Sequence, residues 1–525
     1  MPRITGSSLL TAHGDVTRTL QVLDQGHGTP AMLNGDILDH LLTVIRDALQ
    51  HRTADILLFA TTKGDIDRWS ADLLSATPQG CGSPQWVAEQ LGRSVGIPAI
   101  AISGACASGP LALGVAGRGI LSGRWQRVLV VGGDRVGAFI REGFAALKAI
   151  DPNHCRPFDA QRAGLQLGEM AAAILLESDI EPTPTKFYLQ GWGASLDGNH
   201  LTGPTRDGSG MARALRMALK RSDRDQCALI VAHGTGTKYN DDSESLAYAT
   251  VCPGVPVTGL KGIIGHTLGA CGVGEAVLAH AMLQRKSAPG CANLQTQGCA
   301  GAITVLPPGQ HPLLPGNIIG ANAGFGGVNG VYMIGDQPPR PWKSVTSEVT
   351  ERAILTSEGW QHTRTDGTNK QDTWSEPGTN GQFPQLSARQ VTGAIDATWG
   401  RMDLACRAVV TLGRLCDPMP EQTAILVVTA RGSAASDRLH EQARLAGSVD
   451  PQRFAYTLPT TPIGEASIRL QLRGPGMTVH GADEALVLNI AADLLGDGCP
   501  AVFIAWIECD TGPHVAHALV LRAKQ

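Results

Sequence analysis

The sequence predicts an α/β fold whose strands are buried on both faces, arranged in more than one domain. Three observations carry this. From about residue 40 to 335, short β-branched runs alternate with helical patterns. The runs "DILLFAT", "AIAIS", "RVLVVGGD", "AAAILLE", "ALIVAHG" and "NIIGANAG" are continuously apolar rather than alternating, as strands covered on both sides are. At 525 residues the chain also exceeds one ordinary domain and predicts two or three.

Composition agrees with a folded, well-cored protein. Apolar residues make up 43% and charged residues 17%. The 64 glycines and 4% aromatics suit closely packed helices and sheets with many tight turns. A net charge of -4 gives no electrostatic case for nucleic acid or an anionic membrane. No apolar run reaches the roughly 18 residues that span a bilayer. The opening "MPRITGSSLLTAHGD" has no long apolar segment of the secretory kind, so a cytoplasmic protein is expected. The 12 cysteines lie singly, with no CxxC pair, and read mostly as small, reduced, buried side chains.

Between the strands lie helix patterns such as "MARALRMALKRS" and "GEAVLAHAMLQRK". Near Asp336 the character changes. Residues 336–385 are polar, rich in Thr, Gly and Pro and poorly periodic, and read as a linker or a long, partly ordered excursion. Patterning resumes from about Leu386, with strands "TAILVVTAR" and "AVFIAWIE" around the helix "EALVLNIAADLLG". This last part echoes an earlier one. "LRGPGMTVHGADEALVLNIAADLLGDGCPAVFIAWIE" follows the order of "VGIPAIAISGACASGPLALGVAGRGILSGRWQRVLVVGGD": strand, Gly-Ala turn, helix, bend, strand. Where the earlier segment has its cysteine, the echo has Asp483 or a neighbour.

Three turns carry chemistry. In "AISGACASGP" the chain passes sharply from strand to helix at Cys106, with small neighbours that leave room for a substrate. A thiol there faces the positive end of a helix dipole; the alternative is a cysteine packed beneath a tight turn. "ALIVAHGTGTKYNDDSE" places His233 directly after a buried strand, and "GLKGIIGHTLGACGVGEAV" places His266 in a glycine-bracketed turn before a helix. "NAGFGGVNG" is another turn whose backbone amides could face a shared site.

Together "GACASG", "RPFDAQRAGLQLGE", "HGTGTKYNDDSE", "KGIIGHTLGACG" and "GFGGVN" resemble, in order, the motifs of the β-ketoacyl synthases, the condensing enzymes of fatty acid and polyketide synthesis. The resemblance covers the chain from its start to about Asp336. It implies a thiolase-like layered α/β/α/β/α fold for residues 1–335, followed by a smaller α/β half-ketosynthase-like domain over residues 386–525. It makes Cys106 the acyl-accepting nucleophile and His233 and His266 the other members of a Cys-His-His set. Thr235 and Thr237 match hydroxyls that contact a phosphopantetheine arm, with turn capping as the alternative. Lys261 and Glu244 match a supporting charged pair, with a purely structural ion pair as the alternative. Phe325 matches the gating phenylalanine, whose N–H joins that of Cys106 as an oxyanion hole.

The chemistry suits those roles. Acyl transfer from a thioester needs a polarizable nucleophile and donors aimed at a developing oxyanion. Two histidines, rather than Cys-His-Asn, favour decarboxylative condensation, because neutral imidazoles can donate to an enolate oxygen. No cofactor is implied beyond the phosphopantetheine that arrives on the substrate. The implied partners are acyl carrier protein or acyl-CoA, and a homodimer or a pseudo-dimer through the C-terminal domain. Two other readings remain: an acyltransferase to an amine or hydroxyl, and a non-catalytic scaffold of the chain-length-factor type. There are departures from the family pattern. "ANAGFGG" has Ala323 where a bulkier residue is usual, and the N-terminal strand region reads as compressed. Residues 386–525 resemble the first half of a chain-length factor, without the cysteine and without second histidine motifs.

Overall fold

The computed structural model describes residues 1–178, 187–222, 227–342, 344–510 and 513–524. Its first five strands are β1 (Arg3–Thr11), β2 (Ile56–Ala60), β3 (Ala99–Ser103), β4 (Arg127–Gly133) and β5 (Met170–Glu177). They lie side by side in the order β1-β5-β4-β2-β3, with β2 parallel to both β3 and β4. The opening segment, expected to be compressed, supplies a nine-residue β1 that pairs with β5 from Arg3 to Thr11.

The next strands are β6 (Tyr188–Leu196), β7 (Cys227–Val231), β8 (Val257–Thr258), β9 (Ser287–Pro289), β10 (Gln310–Pro312), β11 (Asn317–Gly324) and β12 (Val328–Gly335). Apart from the β9–β10 ladder, they repeat the first arrangement as β6-β12-β11-β7-β8. The helices Ser108–Leu121 and Cys271–Arg285 pack between the two sheets. Outer helices cover the far faces: Ile37–Leu49 and Pro84–Val95 on one side, Ser209–Leu219 on the other. This is the five-layer arrangement the motifs imply. Helix Ser108–Leu121 is apolar all round and buried from Ser108 to Ile120, as a helix between two sheets must be. The central helices approach closely at Gly109, where a Cβ would fall 2.6 Å from Val273 N and 2.7 Å from Gly272 Cα.

The remaining strands are β13 (Ser347–Leu355), β14 (Gly359–Arg364), β15 (Asn369–Thr373), β16 (Ala424–Val428), β17 (Gly476–His480), β18 (Val502–Glu508) and β19 (Val515–Ala523). Five of them form a third unit of the same design, β13-β19-β18-β16-β17. Strand β17 pairs antiparallel with β3, so the first and third sheets are continuous. The register dates the echo to the residue. Ala60 pairs with Ile102 in the first unit and Val428 with Val479 in the third, and Ile102 pairs with Val479 across the seam. Four residues beyond these lie Cys106 and Asp483. Asp483 caps helix Glu484–Gly496, accepting the Leu486 N–H at 2.8 Å.

One expectation fails here. The stretch 336–385 is not a linker, because it contains β13, β14 and β15, and β13 occupies in the third unit the place β1 holds in the first. On β13 the side chains of Glu351, Ala353 and Leu355 are buried while Arg352 and Ile354 are exposed. A strand wetted on one face reads as polar and aperiodic beside the wholly buried strands around it.

Buried ion pairs fasten the third unit to the rest. Lys63 Nζ donates to Asp437 Oδ1 and to Thr457 O, each at 2.5 Å, and Trp69 Nε1 donates to Asp437 Oδ2 at 2.8 Å. Arg118 Nε meets Asp497 Oδ2 at 2.5 Å, and Trp192 and Trp342 donate their indole N–H groups to the same carboxylate at 3.0 Å.

Candidate active site

Cys106 stands between β3 and helix Ser108–Leu121, on a backbone bent by Ala105 at φ +51°. A non-glycine residue in the left-handed region costs of order 1 kcal/mol and persists only where its surroundings hold it. They do so here through Ser108, whose Oγ accepts the Gly104 N–H at 2.9 Å and lies 2.6 Å from Ala105 O. A Cβ on Gly104 would come within 2.2 Å of Leu111 Cδ1. The string of small residues around the cysteine is therefore what the turn requires.

The two histidines face each other, with ring centroids 5.2 Å apart and planes at 87°. His266 Nδ1 accepts the Leu268 N–H at 3.0 Å, so its proton sits on Nε2. His233 Nδ1 lies 3.4 Å from the donor Nδ2 of Asn322, which selects the same tautomer. Burial, with Lys261 and His266 nearby, holds the His233 imidazole well below the usual histidine range, so it is neutral. Both rings thus keep an Nε2–H donor.

Behind the histidines runs a buried polar chain. Asn322 Nδ2 donates to Glu275 Oε2 at 2.8 Å, and Lys261 Nζ donates to Glu275 Oε1 at 2.5 Å, both charged side chains fully buried. Burial is the largest single influence and opposes the Lys261 ammonium, but attraction to Glu275, with Cys271 and Glu244 nearby, makes the net shift upward. The partner of Lys261 is therefore Glu275, not the expected Glu244. Glu244 accepts the Gly234 N–H at 2.9 Å and the Tyr248 hydroxyl at 2.7 Å. Burial and the neighbouring Asp241 raise its carboxyl to about 8, which leaves it mostly protonated at neutral pH. Its place is under the His233 turn. Asp134, at the end of β4, accepts N–H groups from Thr62, Lys63, Gly64 and Gly269 and so ties the turn after His266 to the loop after β2.

Cys106, His233, His266, Thr235, Thr237 and Phe325 line one cavity of about 380 Å³; Lys261 and Glu244 do not reach it. Thr235 Oγ1 and Thr237 Oγ1 lie 2.9 Å apart, and the Thr237 N–H meets Thr235 Oγ1 at 3.4 Å, so these hydroxyls brace the turn and line the cavity together. The Phe325 turn abuts the cysteine turn: a Cβ on Gly324 would fall 2.6 Å from Gly104 O and 3.0 Å from Cys106 N. Phe144, a cavity residue not singled out from sequence, packs 5.8 Å from Phe325 and 6.2 Å from His266 between ring centroids. Glu275 and Asn322 were also overlooked, although each lies inside a quoted motif. An acid among the small and apolar residues that open helix Cys271–Arg285 was the available signal.

Comparison with known proteins agrees with this geometry. Residues 75–181 match the family model for the β-ketoacyl synthase N-terminal domain, and residues 187–295 that for the C-terminal domain. A putative polyketide β-ketoacyl synthase 1 from Streptomyces cyaneus is 31% identical over 289 residues, which cover 51% of this chain and 68% of that protein. A 3-oxoacyl-[acyl-carrier-protein] synthase 2 from Rhizobium meliloti is 32% identical over 245 residues, covering 43% and 58%. Among solved structures, the PfaC ketosynthase–chain length factor superposes with a TM-score of 0.78 at 14% identity, over 99% of this chain and 78% of that one. A β-ketoacyl synthase from Burkholderia phymatum gives 0.59 at 24%, over 64% of this chain and all of that one. The PfaC similarity extends through the third unit and is a likeness of fold. The chain belongs to the β-ketoacyl synthase family.

Proposed function

We propose that this protein condenses an acyl group held on Cys106 with a malonyl thioester, with loss of CO₂. The observation that carries the reading is one cavity shared by a thiol at a helix N-terminus and two imidazoles whose Nδ1 atoms are already engaged. In the first step Cys106 Sγ attacks the acyl thioester carbonyl. The backbone N–H groups of Cys106 and Phe325 hold the oxyanion, and the carrier thiol leaves with the cysteine proton. In the second, the bond from the malonyl α-carbon to its carboxylate breaks and its electron pair becomes an enolate. The Nε2–H groups of His233 and His266 donate to the enolate oxygen. The enolate carbon then attacks the Cys106 thioester, giving a 3-oxoacyl thioester and releasing the cysteine as thiolate, which takes up a proton. Lys261, Glu275 and Asn322 orient His233, and Glu244 supports its turn.

Thr235 and Thr237 contact the phosphopantetheine arm of the substrate, and the steps above need no other cofactor. Acyl carrier protein is the proposed donor; one solved relative is a type II polyketide synthase acyl-carrier protein in complex with its ketosynthase. Residues 347–524 act as a built-in partner, so that one chain forms a pseudo-dimer. Among the described residues no helix is long and apolar enough to cross a membrane, and we place the reaction in the cytoplasm. Incubation with acyl- and malonyl-carrier protein should yield a 3-oxoacyl product and CO₂. Acylation of Cys106 without malonyl-dependent CO₂ release would instead identify an acyltransferase to another acceptor. No adduct on Cys106 would identify a scaffold.

A further inference from the structure

We infer that the third unit positions the oxyanion hole, with Gly464 and Thr460 as positioning residues for the Phe325 N–H. This rests on the acyl-transfer reading above. The turn Gly324–Gly327 is held from two sides. On one side it lies against the cysteine turn through Gly324. On the other it rests on the first turn of helix Thr461–Leu470, which belongs to the third unit. A Cβ on Gly464 would fall 2.9 Å from Gly326 Cα, 3.1 Å from Gly326 O and 2.8 Å from Leu201 Cδ2. Thr460 Oγ1 donates to Phe325 O at 3.4 Å, and Gly326 donates its N–H to Leu201 O at 2.6 Å. The far end is pinned where Gly327 O accepts the Asp197 N–H at 2.8 Å.

The contacts on Phe325 O and Gly326 N hold the one peptide group that follows Phe325, and Gly324 fixes the approach to it. The direction of the Phe325 N–H is thereby set between a catalytic turn and a helix from the third unit. Because Gly464 meets backbone atoms of Gly326, an added methyl cannot be absorbed by a rotamer change alone; the turn must shift. Donors of this kind are effective only when aimed at the developing oxyanion. A misplacement of about 1 Å costs roughly 10²-fold in rate, and contacts at 2.9 and 3.1 Å ask the turn for a few tenths of that. The third unit then belongs to the acylation machinery rather than to solubility alone.

The full-length Gly464→Ala, Thr460→Val and Thr460→Ser variants test this. Two rates are followed at the Cys106 peptide by mass spectrometry: acylation by octanoyl-CoA or an octanoyl carrier protein, and alkylation by iodoacetamide, which forms no oxyanion. Gly464→Ala should slow acylation by about 3- to 10-fold while alkylation stays near the wild-type rate. Thr460→Val should slow acylation in the same selective way, and Thr460→Ser should restore it, so the proposal stays testable if Gly464→Ala does not fold. Gly413→Ala is the control, because its Cβ would meet Leu470 Cδ1 at 2.3 Å inside the third unit, away from the turn. It should lower the denaturation midpoint and leave the ratio of the two rates unchanged. The inference is overturned if both rates fall together in Gly464→Ala and Thr460→Val, if neither falls, or if Gly413→Ala changes the ratio as much. A wild-type protein that no thioester acylates would refute the acyl-transfer reading itself, a separate outcome.

Discussion

Phe454→Ala tests whether the third unit bounds the acyl site. Phe454 is 2% exposed, on the short helix Pro451–Ala455, and its ring lies 5.5 Å from Phe144 and 5.3 Å from His440. It fits so closely over Gly143 that a Cβ there would fall 2.3 Å from ring atoms Cδ2 and Cε2. Phe144 in turn lines the catalytic cavity, so Phe454 stands one side chain behind the cavity wall. Removing a buried Phe ring costs about 3–5 kcal/mol when the void persists. Here Phe144 can swing into the void, which places the loss near the lower figure and enlarges the catalytic cavity. Urea unfolding should therefore show a loss of roughly 3 kcal/mol. Mass spectrometry of the products from a panel of acyl carriers should show a shift to longer acyl chains. A variant destabilised to that extent but with an unchanged product distribution would refute the reasoning, leaving Phe454 as packing only.

Cys106→Ala should abolish acyl loading, whereas His233→Ala and His266→Ala should still load acyl groups and lose malonyl decarboxylation by about 10²- to 10⁴-fold, read as CO₂ release. Lys261→Met should cost about 3–5 kcal/mol in urea unfolding because it strands the buried Glu275 carboxylate. Glu244→Gln should cost less than about 1 kcal/mol, since burial already keeps that carboxyl mostly neutral at pH 7. The buried His280 and His480 should each weaken the fold on acidification. Burial lowers both to about 4, so between pH 6.5 and 4 these rings bind protons in the unfolded chain and not in the folded one. A shift from 6.5 to about 4 is worth roughly 3 kcal/mol per histidine by pH 4. Buried carboxyls act in the opposite sense over the same window, because Glu244 is raised to about 8 and Asp134 and Asp241 to about 6. The check is therefore by difference: in urea unfolding His280→Gln should lose less stability than the wild type between pH 6.5 and 4, and an identical loss would contradict the burial of that ring. His233 moves in the same direction as His280, so its ring stays neutral below the usual histidine range for as long as the fold does.

The strands most legible in the sequence were those with no wet face. β2, β3, β4, β5, β7, β11, β16 and β18 each coincide, to within one residue at the start, with a run quoted from the sequence. The three turns bearing Cys106, His233 and His266 were legible for a related reason: glycines mark where the chain must turn sharply or pack closely, and the reactive residue sits among them. β13 was hidden because Glu348, Arg352 and Ile354 face away from the core, and one of the alternate buried residues is itself an acid, Glu351. The partner of Lys261 was hidden for a different reason. Glu244 and Glu275 are both buried acids near it, and only the packing of helix Cys271–Arg285 decides which carboxylate reaches the ammonium. Phe454, Thr460 and Gly464 carry no local signal. Their significance arises when β17 docks on β3 and brings a distant segment against the Phe325 turn.

That docking also places the third unit where the turns around the cavity need support. The first unit ends in β3, an edge strand immediately before the Cys106 turn, and an uncovered edge there would be open to pairing with other chains. β17 closes it, with Ile102 opposite Val479. Arg118, on the helix that follows Cys106, is neutralised by Asp497 at the end of the corresponding helix Glu484–Gly496. Lys63, on the loop clamped by Asp134, is neutralised by Asp437. The wall behind Phe144 comes from Phe454 and the support beneath Phe325 from Thr460 and Gly464. Every one of these groups lies in the five-strand unit β13-β19-β18-β16-β17 or its helices. The histidine turns and the Phe325 turn belong to the second unit, β6 through β12. In the third unit the turn that corresponds to Cys106 carries Asp483. The third unit supplies the edge, the counter-charges and the packing on which the cysteine and Phe325 turns rest.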